Sequence, residues 1–307
     1  MMNNKEYVVL TGASGFIGKH MLKALQHVGL FVIAISRNVG NYHNSTTPGL
    51  KWCDWESIDS AVDEMPIDAV MVGVIHLATE YGRNTSSLME VEDGNVVKPL
   101  KLLDLAVKKQ ASIFLNTDSF FAKEAFDYQY MRPYIMTKRH FNEIGRYYSD
   151  NHDISFVNMR LEHVYGPGDA ETKFVPHILS RLCNGDLDIH CTSGQQIRDF
   201  TYVDDVVSAY LVVLDKISEV PTYIEYQVGT GHGVNLKEFL LYLHEMIPGS
   251  PGSFKFGALE QRKNEIMKSV ANNEGLILLG WQPKYDYKSG IREMLNAYSF
   301  VCAEKKS

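Results

Sequence analysis

Tyr134 and Lys138 stand four residues apart in "MRPYIMTKRHFNEIGRYY", a segment that reads as a helix. A spacing of i and i+4 puts both side chains on one helical face, where a phenol beside an ammonium makes a proton-transfer pair. An unperturbed tyrosine titrates near 10, and moving it by about three units takes about 4 kcal/mol. A neighbouring lysine charge supplies part of that. Upstream, "IFLNTDSFF" (113–121) ends an apolar run with Asn116, Thr117, Asp118 and Ser119. Ligands of an open α/β sheet dock outside the carboxyl ends of its strands, so a polar cluster there is a place for chemistry. A third constellation is "TGASGFIGKH", with Gly12, Gly15 and Gly18 in a G-x-x-G-x-x-G pattern at a strand-to-helix turn. Missing Cβ atoms permit a tight turn, admit a pyrophosphate to backbone N–H groups at the helix N-terminus, and let helix and strand pack closely. Gly12, Gly15, Phe16, Ile17 and Gly18 are therefore candidates to hold a dinucleotide.

The second apolar run ends "IAISRN", where an NAD-binding fold usually carries an acid for the adenosine ribose. Ser36 and Arg37 stand there instead. A carboxylate would repel a 2'-phosphate, whereas a hydroxyl and a forked guanidinium can bind it, so the expected cofactor is NADPH/NADP; an exposed loop arginine is the alternative. Asp54, in "KWCDW" after the third strand, is a candidate for the adenine ring or else a plain turn residue.

These groups need a scaffold, and strand-length apolar runs recur at 7–11, 31–36, 69–77, 112–116 and 154–160. Such uninterrupted runs suit parallel strands covered on both faces. Helical periodicity fills the gaps, as in "GKHMLKALQHVG" and "VVKPLKLLDLAVKKQ". Alternation of this kind predicts an α/β fold, a Rossmann-type doubly wound parallel sheet. Past about residue 166 the pattern loosens and Gly and Pro punctuate it, which predicts a smaller C-terminal substrate-binding lobe. The expected division is 1–165 for the dinucleotide-binding domain and 166–307 mainly for the lobe, with part of 197–230 returning to the first domain.

The 307 residues, 45% apolar and 22% charged, suffice for one large domain and a smaller lobe. A net charge of −7 without a basic run gives no footprint for nucleic acid or an anionic membrane. Cys53, Cys183, Cys191 and Cys302 lack metal-ligand or disulfide-frame spacing, so no metal site is expected and reduced thiols in a cytosol fit best. "MMNNKEYVVLTG" carries no basic-then-apolar leader, and no apolar stretch is long enough for a bilayer.

Taken in order, these residues resemble the extended short-chain dehydrogenase/reductases that act on nucleotide sugars, over almost the whole chain. Later motifs agree: "MRLEHVYGPGD" (159–169) resembles the family's R-x-x-N-V-Y-G-P, "GQQIRDFTYVDDVVSAY" (194–210) its R-D-F-x-Y-V-D-D stretch, and "LGWQP" (279–283) its L-G-W-x-P. The resemblance implies a catalytic set of Thr117, Tyr134 and Lys138, a nicotinamide-ribose wall at Leu77 and Ala78, and a substrate pyrophosphate held by Arg198 and Arg262. Arg198 could instead pair structurally with Asp199 or its neighbours. His76, inside the apolar run at 69–77, reads as core. Met and Tyr stripes at 128–148 read as packing, in part at the helix-bundle homodimer interface this family commonly uses.

Departures from the family pattern narrow the reaction. Sugar-nucleotide 4,6-dehydratases carry Thr-Asp-Glu at the polar cluster, because eliminating water needs a carboxylate to take the C5 proton. Here the third residue is Ser119, which leaves ketone reduction or its reverse. Asp118 is then either catalytic or a strand-end turn residue. His163 replaces the usual Asn before "VYGP", as a substitute N–H donor to the pyrophosphate or as a packed ring, and Asn272 replaces a common Asp after "RKNE". With "HLATEYG" (76–82) and "LNTDSFFAK", these features resemble the reductases that make CDP-3,6-dideoxyhexoses for O-antigen assembly. The implied reaction is NADPH-dependent reduction of the C4 ketone of CDP-4-dehydro-3,6-dideoxy-D-glucose, with abequose favoured and the opposite C4 epimer, paratose, left open by the residues themselves. Rival readings are an epimerase that retains NAD, and a non-catalytic NADP sensor, against which the intact Tyr and Lys count.

Overall fold

The computed structural model describes residues 6–41, 47–82 and 87–304, apart from the side chains of Asn41 and 299–304. The first five residues, read above for a leader, and the Cys302 side chain lie outside that description. Two compact units result. The first comprises Met1–Glu124, Met131–Arg160 and Val207–Tyr226; the second comprises Ala125–Tyr130, Leu161–Val206 and Gln227–Ser307. Residues 125–130 and 161–165 thus fall in the second unit, against the expected division at 165, while 207–226 go back to the first.

The first unit's strands are β1 (Glu6–Thr11), β2 (Phe31–Ile35), β3 (Leu50–Cys53), β4 (Val70–His76), β5 (Ile113–Ser119) and β6 (Ser155–Leu161), all but β3 formed by the five apolar runs. Together with strand Tyr223–Val228 they make one sheet in the order 223–228, β6, β5, β4, β1, β2, β3. β1 pairs in parallel with β2 on one side and β4 on the other, so the winding reverses at β1 and β4, the position where a doubly wound sheet opens a crevice for a ligand. The register sets Thr11 beside His76 and His76 beside Asn116, which places the polar cluster in the row that leads out of the sheet.

One expectation changes here. β5 does not stop at Asn116 but runs to Ser119, so the polar cluster lies in the strand itself and alternates faces. Asn116 and Asp118 are buried, and Thr117 and Ser119 are half-buried.

The helices of the first unit are α1 (Phe16–His27), α2 (Ile58–Asp63), α3 (Leu88–Glu92), α4 (Lys98–Lys108) and α5 (Arg132–Asn151), with a π-turn at Asp93–Val97 joining α3 to α4. α5 starts at a proline in its first turn, where the fixed φ suits a helix and the absent N–H costs nothing. Phe141 of α5 packs with Phe114 and Phe156 in the core. Burying one such ring is worth roughly 1.5–3 kcal/mol. The helix can come this close because a Cβ on Gly145 would stand 2.1 Å from the Phe156 ring. That contact seats the helix bearing Tyr134 and Lys138 on the sheet.

The second unit is built from short pieces. Phe200–Tyr202 pairs with His163–Tyr165, Ser253–Phe256 with Asp188–Cys191, and Ile197–Arg198 lies between Val234–Asn235 and Lys268–Ser269. Helices Phe174–Asn184, Leu236–Glu245 and Tyr287–Glu304 pack around Tyr165, Phe200 and Phe239, and the short helix Glu274–Leu278 completes the unit. Buried Asp199 ties these pieces together, its carboxylate accepting from Thr230 N and Oγ1, Gly231 N and Ala271 N at 2.7–3.2 Å. No helix among the described residues is long and apolar enough to cross a membrane.

Candidate active site

The glycine turn after β1 has the shape of an anion cradle. Gly12 adopts φ +67°, and a Cβ there would lie 2.8 Å from Ala78 N. A Cβ on Gly18 would lie 2.0 Å from Gly12 O, so α1 rests directly on the turn. Gly15 caps α1 with no side-chain acceptor and no acid in the first turn. The positive end of the helix dipole therefore keeps its amides for an outside anion, and the residues present fit a dinucleotide pyrophosphate. Thr11 pins the next wall: its Oγ1 accepts from Ala78 N at 3.0 Å and lies 2.8 Å from His76 Nδ1. Burial first, and the Lys138 charge second, hold the His76 pKa well below its ordinary value. His76 is therefore a neutral core ring that shares a hydrogen bond with the Thr11 hydroxyl, with Leu77 and Ala78 half-buried beside the turn.

At the end of β2, Ser36 is buried and its hydroxyl lies 3.1 Å from that of Ser14 in the glycine turn. Arg37 is 80% exposed and stands 3.6 Å from the Glu80 carboxylate. Asp54 accepts from Ser57 N at 2.8 Å and from its hydroxyl, the geometry of a turn leading into α2, and these bonds lower its pKa.

Thr117, Tyr134 and Lys138 all belong to the first unit. Lys138 is 2% exposed, and its Nζ donates to the Thr117 carbonyl at 2.7 Å while lying 5.9 Å from the centre of the Tyr134 ring. Burial lowers its pKa to about 8, against the opposing pull of Asp118. Tyr134 is stacked on Tyr81 with ring centres 5.2 Å apart. The arrangement joins a phenol, an ammonium of reduced basicity and a strand-end hydroxyl, the parts needed to pass one proton to a developing alkoxide.

Three supports were not foreseen from the sequence. Asn95, buried in the π-turn, donates to Glu80 O and to Thr137 Oγ1 and accepts from Glu80 N, clamping the segment after β4 to α5 between Tyr134 and Lys138. Tyr210, from helix Val203–Asp215, has its hydroxyl 2.7 Å from Thr117 Oγ1. Asp118 is the third: its Oδ2 accepts from Arg160 Nε and Asn158 Nδ2, both at 3.0 Å, while Asn158 and Arg160 also reach Glu225. Asp118 is therefore part of a buried polar network between neighbouring strands. Ser119 accepts from Phe121 N and caps the short turn after β5.

The remaining candidates lie in the second unit. Arg198 is buried and donates to Glu265 Oε1 at 2.8 Å and to Ile197 O; its ion-pair partner is Glu265, whereas Asp199 serves the loop contacts described above. Burial lowers its pKa, with Glu265 the main opposing influence. Arg262 is exposed, donates to the Tyr128 hydroxyl at 3.0 Å and lies 3.9 Å over the Tyr130 ring, a cation–π contact that holds the fork in place. His163 is set edge-on against Phe174 and Phe200, and burial brings its pKa down to about 4, so it is a neutral ring at pH 7.

The family profile described as "NAD dependent epimerase/dehydratase family" matches residues 8–229. The CDP-abequose synthase of Salmonella typhimurium strain LT2 is 61% identical over 292 residues, covering 95% of this chain and 98% of that protein. The CDP-abequose synthase of Salmonella muenchen is 37% identical, covering 96% and 99%. Among solved structures, the UDP-glucose 4-epimerase of Thermotoga maritima superposes with a TM-score of 0.79 at 21% identity, covering 96% and 99%, a likeness of fold.

Proposed function

The chain belongs to the NAD dependent epimerase/dehydratase family, and on that premise we propose that it is an oxidoreductase that makes CDP-abequose by reducing the C4 ketone of CDP-4-dehydro-3,6-dideoxy-D-glucose. The observation that carries this reading is the 61% identity to a CDP-abequose synthase across nearly the full length of both chains. The product is a sugar donor for O-antigen biosynthesis.

NADPH is the proposed reductant. Gly12, Gly15, Phe16, Ile17 and Gly18 take its pyrophosphate at the start of α1, Ser36 and Arg37 its 2'-phosphate, Asp54 the adenine side, and Leu77 and Ala78 the nicotinamide ribose. The chemistry that the reduced dinucleotide supplies when bound is hydride donation to the C4 carbon. Thr117 hydrogen-bonds the C4 oxygen, and Tyr134 donates its proton to that oxygen as negative charge builds. Lys138 steadies the ribose and Thr117 and eases proton release from Tyr134 by its charge. His163, Arg198 and Arg262 are assigned to the CDP pyrophosphate, with Arg262 presenting its fork to solvent and Arg198 sharing its own with Glu265. Ser119 fits this reaction because no C5 proton has to be removed. A cytosolic homodimer is the proposed state of the enzyme.

Nicotinamide absorbance with CDP-4-dehydro-3,6-dideoxy-D-glucose tests the proposal. Consumption of NADPH well ahead of NADH is expected; no consumption of either would overturn it.

A further inference from the structure

We propose that Tyr210 is a positioning residue for the reduction: its phenol holds the Thr117 hydroxyl so that the Thr117 proton is turned toward the C4 oxygen of the sugar. The inference rests on the ketoreductase reading above. It starts from a contact 93 positions apart in sequence, Thr117 Oγ1 to Tyr210 Oη at 2.7 Å.

The direction of that bond follows from what each group must satisfy. Tyr210 is fully buried on helix Val203–Asp215, and among the described residues its hydroxyl has this one hydrogen bond. A buried O–H without an acceptor is costly, so the phenol donates and Thr117 Oγ1 accepts. A threonine hydroxyl carries one proton and two lone pairs. With one lone pair engaged by Tyr210, the Thr117 proton is directed elsewhere, and Thr117 is half-buried, with part of its surface open. Burial raises the Tyr210 pKa against the opposing pull of the Thr117 hydrogen bond, with the Asp118 charge adding to the rise, so the phenol keeps its proton at working pH. Thr117 is thereby gripped at two points: Lys138 Nζ takes its carbonyl at 2.7 Å and Tyr210 takes its hydroxyl. A donor with a fixed direction stabilises charge developing on an oxygen without having to reorganise during the reaction.

The test is a double-mutant cycle of Tyr210→Phe and Thr117→Val. Phe keeps the ring and removes only the hydroxyl. With wild-type enzyme turning over NADPH and the CDP-4-dehydro sugar, Tyr210→Phe should lower kcat by about 10-fold and leave KM within about two-fold, the pattern for an interaction gained in the transition state. In the Thr117→Val background the same change should lower kcat no further, because the hydroxyl it positions is gone. NADPH affinity by fluorescence and the Tm should stay near wild type for Tyr210→Phe, which separates positioning from a folding defect. Unchanged kcat in Tyr210→Phe, or an equal loss in both backgrounds, would overturn the role of Tyr210 while leaving the ketoreductase reading intact. A wild-type enzyme that binds NADPH but does not oxidise it with this sugar would overturn that reading and this inference with it.

Discussion

Replacing Gly18 with alanine should damage the protein even though alanine is the better helix former. Gly18 sits in the first turn of α1 and its φ is not among the positive ones, so backbone strain has no part in the outcome. In an ordinary helix interior the change would add about 0.5–1 kcal/mol of stability. Here the new Cβ would stand 2.0 Å from Gly12 O, 2.7 Å from Gly12 C and 2.8 Å from Ala13 Cα, all of them backbone atoms that cannot rotate away. Restoring an ordinary contact of 3.4 Å requires a shift of about 1.4 Å between α1 and the turn. The amides proposed to meet the pyrophosphate belong to that turn, and a displacement near 1 Å in a positioning element costs about 100-fold where geometry controls the step. The expected result is a lowered Tm and NADPH affinity reduced by at least about 10-fold, read by thermal unfolding and by fluorescence titration. A Tm raised by alanine together with unchanged affinity would refute the steric argument and the assignment of this turn to the cofactor.

Arg37→Ala should raise KM for NADPH about 10-fold and leave KM for NADH nearly unchanged, since only the former offers a 2'-phosphate to the fork; equal effects on both would contradict the assignment. Burial lowers the Lys138 pKa to about 8, and the side chain helps Tyr134 only while charged, so kcat/KM should fall as pH rises through about 8. A profile that stays flat to about pH 9.5 would remove the charge from the mechanism. Arg160→Met leaves the Asp118 side chain, 1% exposed, without its ion-pair partner and should cost roughly 3–5 kcal/mol in urea unfolding. A loss under about 1 kcal/mol would mean that Asn158 and the Ser119 N–H satisfy Asp118 without the ion pair.

Sequence and structure agree where a residue's neighbours in the chain are also its neighbours in space. β1, β2 and β4 were legible because a strand buried on both faces must be apolar throughout, and the tight strand-to-helix turn because its geometry needs residues without Cβ atoms. The end of β5 was misread for a definable reason. Asn116 and Asp118 look like loop residues, yet their partners are Asn158 and Arg160 on the adjacent strand, and that cross-strand network lets polar residues continue the ladder. Asn95 escaped because a π-turn has no sequence period of its own. Tyr210 escaped because its contact with Thr117 joins segments far apart in the chain, and an aromatic residue on an apolar helix face reads as packing. The two-residue strands around Arg198 are too short to alternate, so the second unit could be expected only as a looser lobe.

The proposed reaction stands or falls on hydride delivery to C4 with the configuration of abequose. The most direct measurement is NMR of the product formed from CDP-4-dehydro-3,6-dideoxy-D-glucose and NADPH carrying deuterium at both C4 positions of the nicotinamide. One deuterium is expected at sugar C4 for each NADPH consumed, with the 4-hydroxyl axial. An equatorial hydroxyl would make the product paratose, and sugar turned over without deuterium or net NADPH loss would make the protein an epimerase; either result would contradict the account.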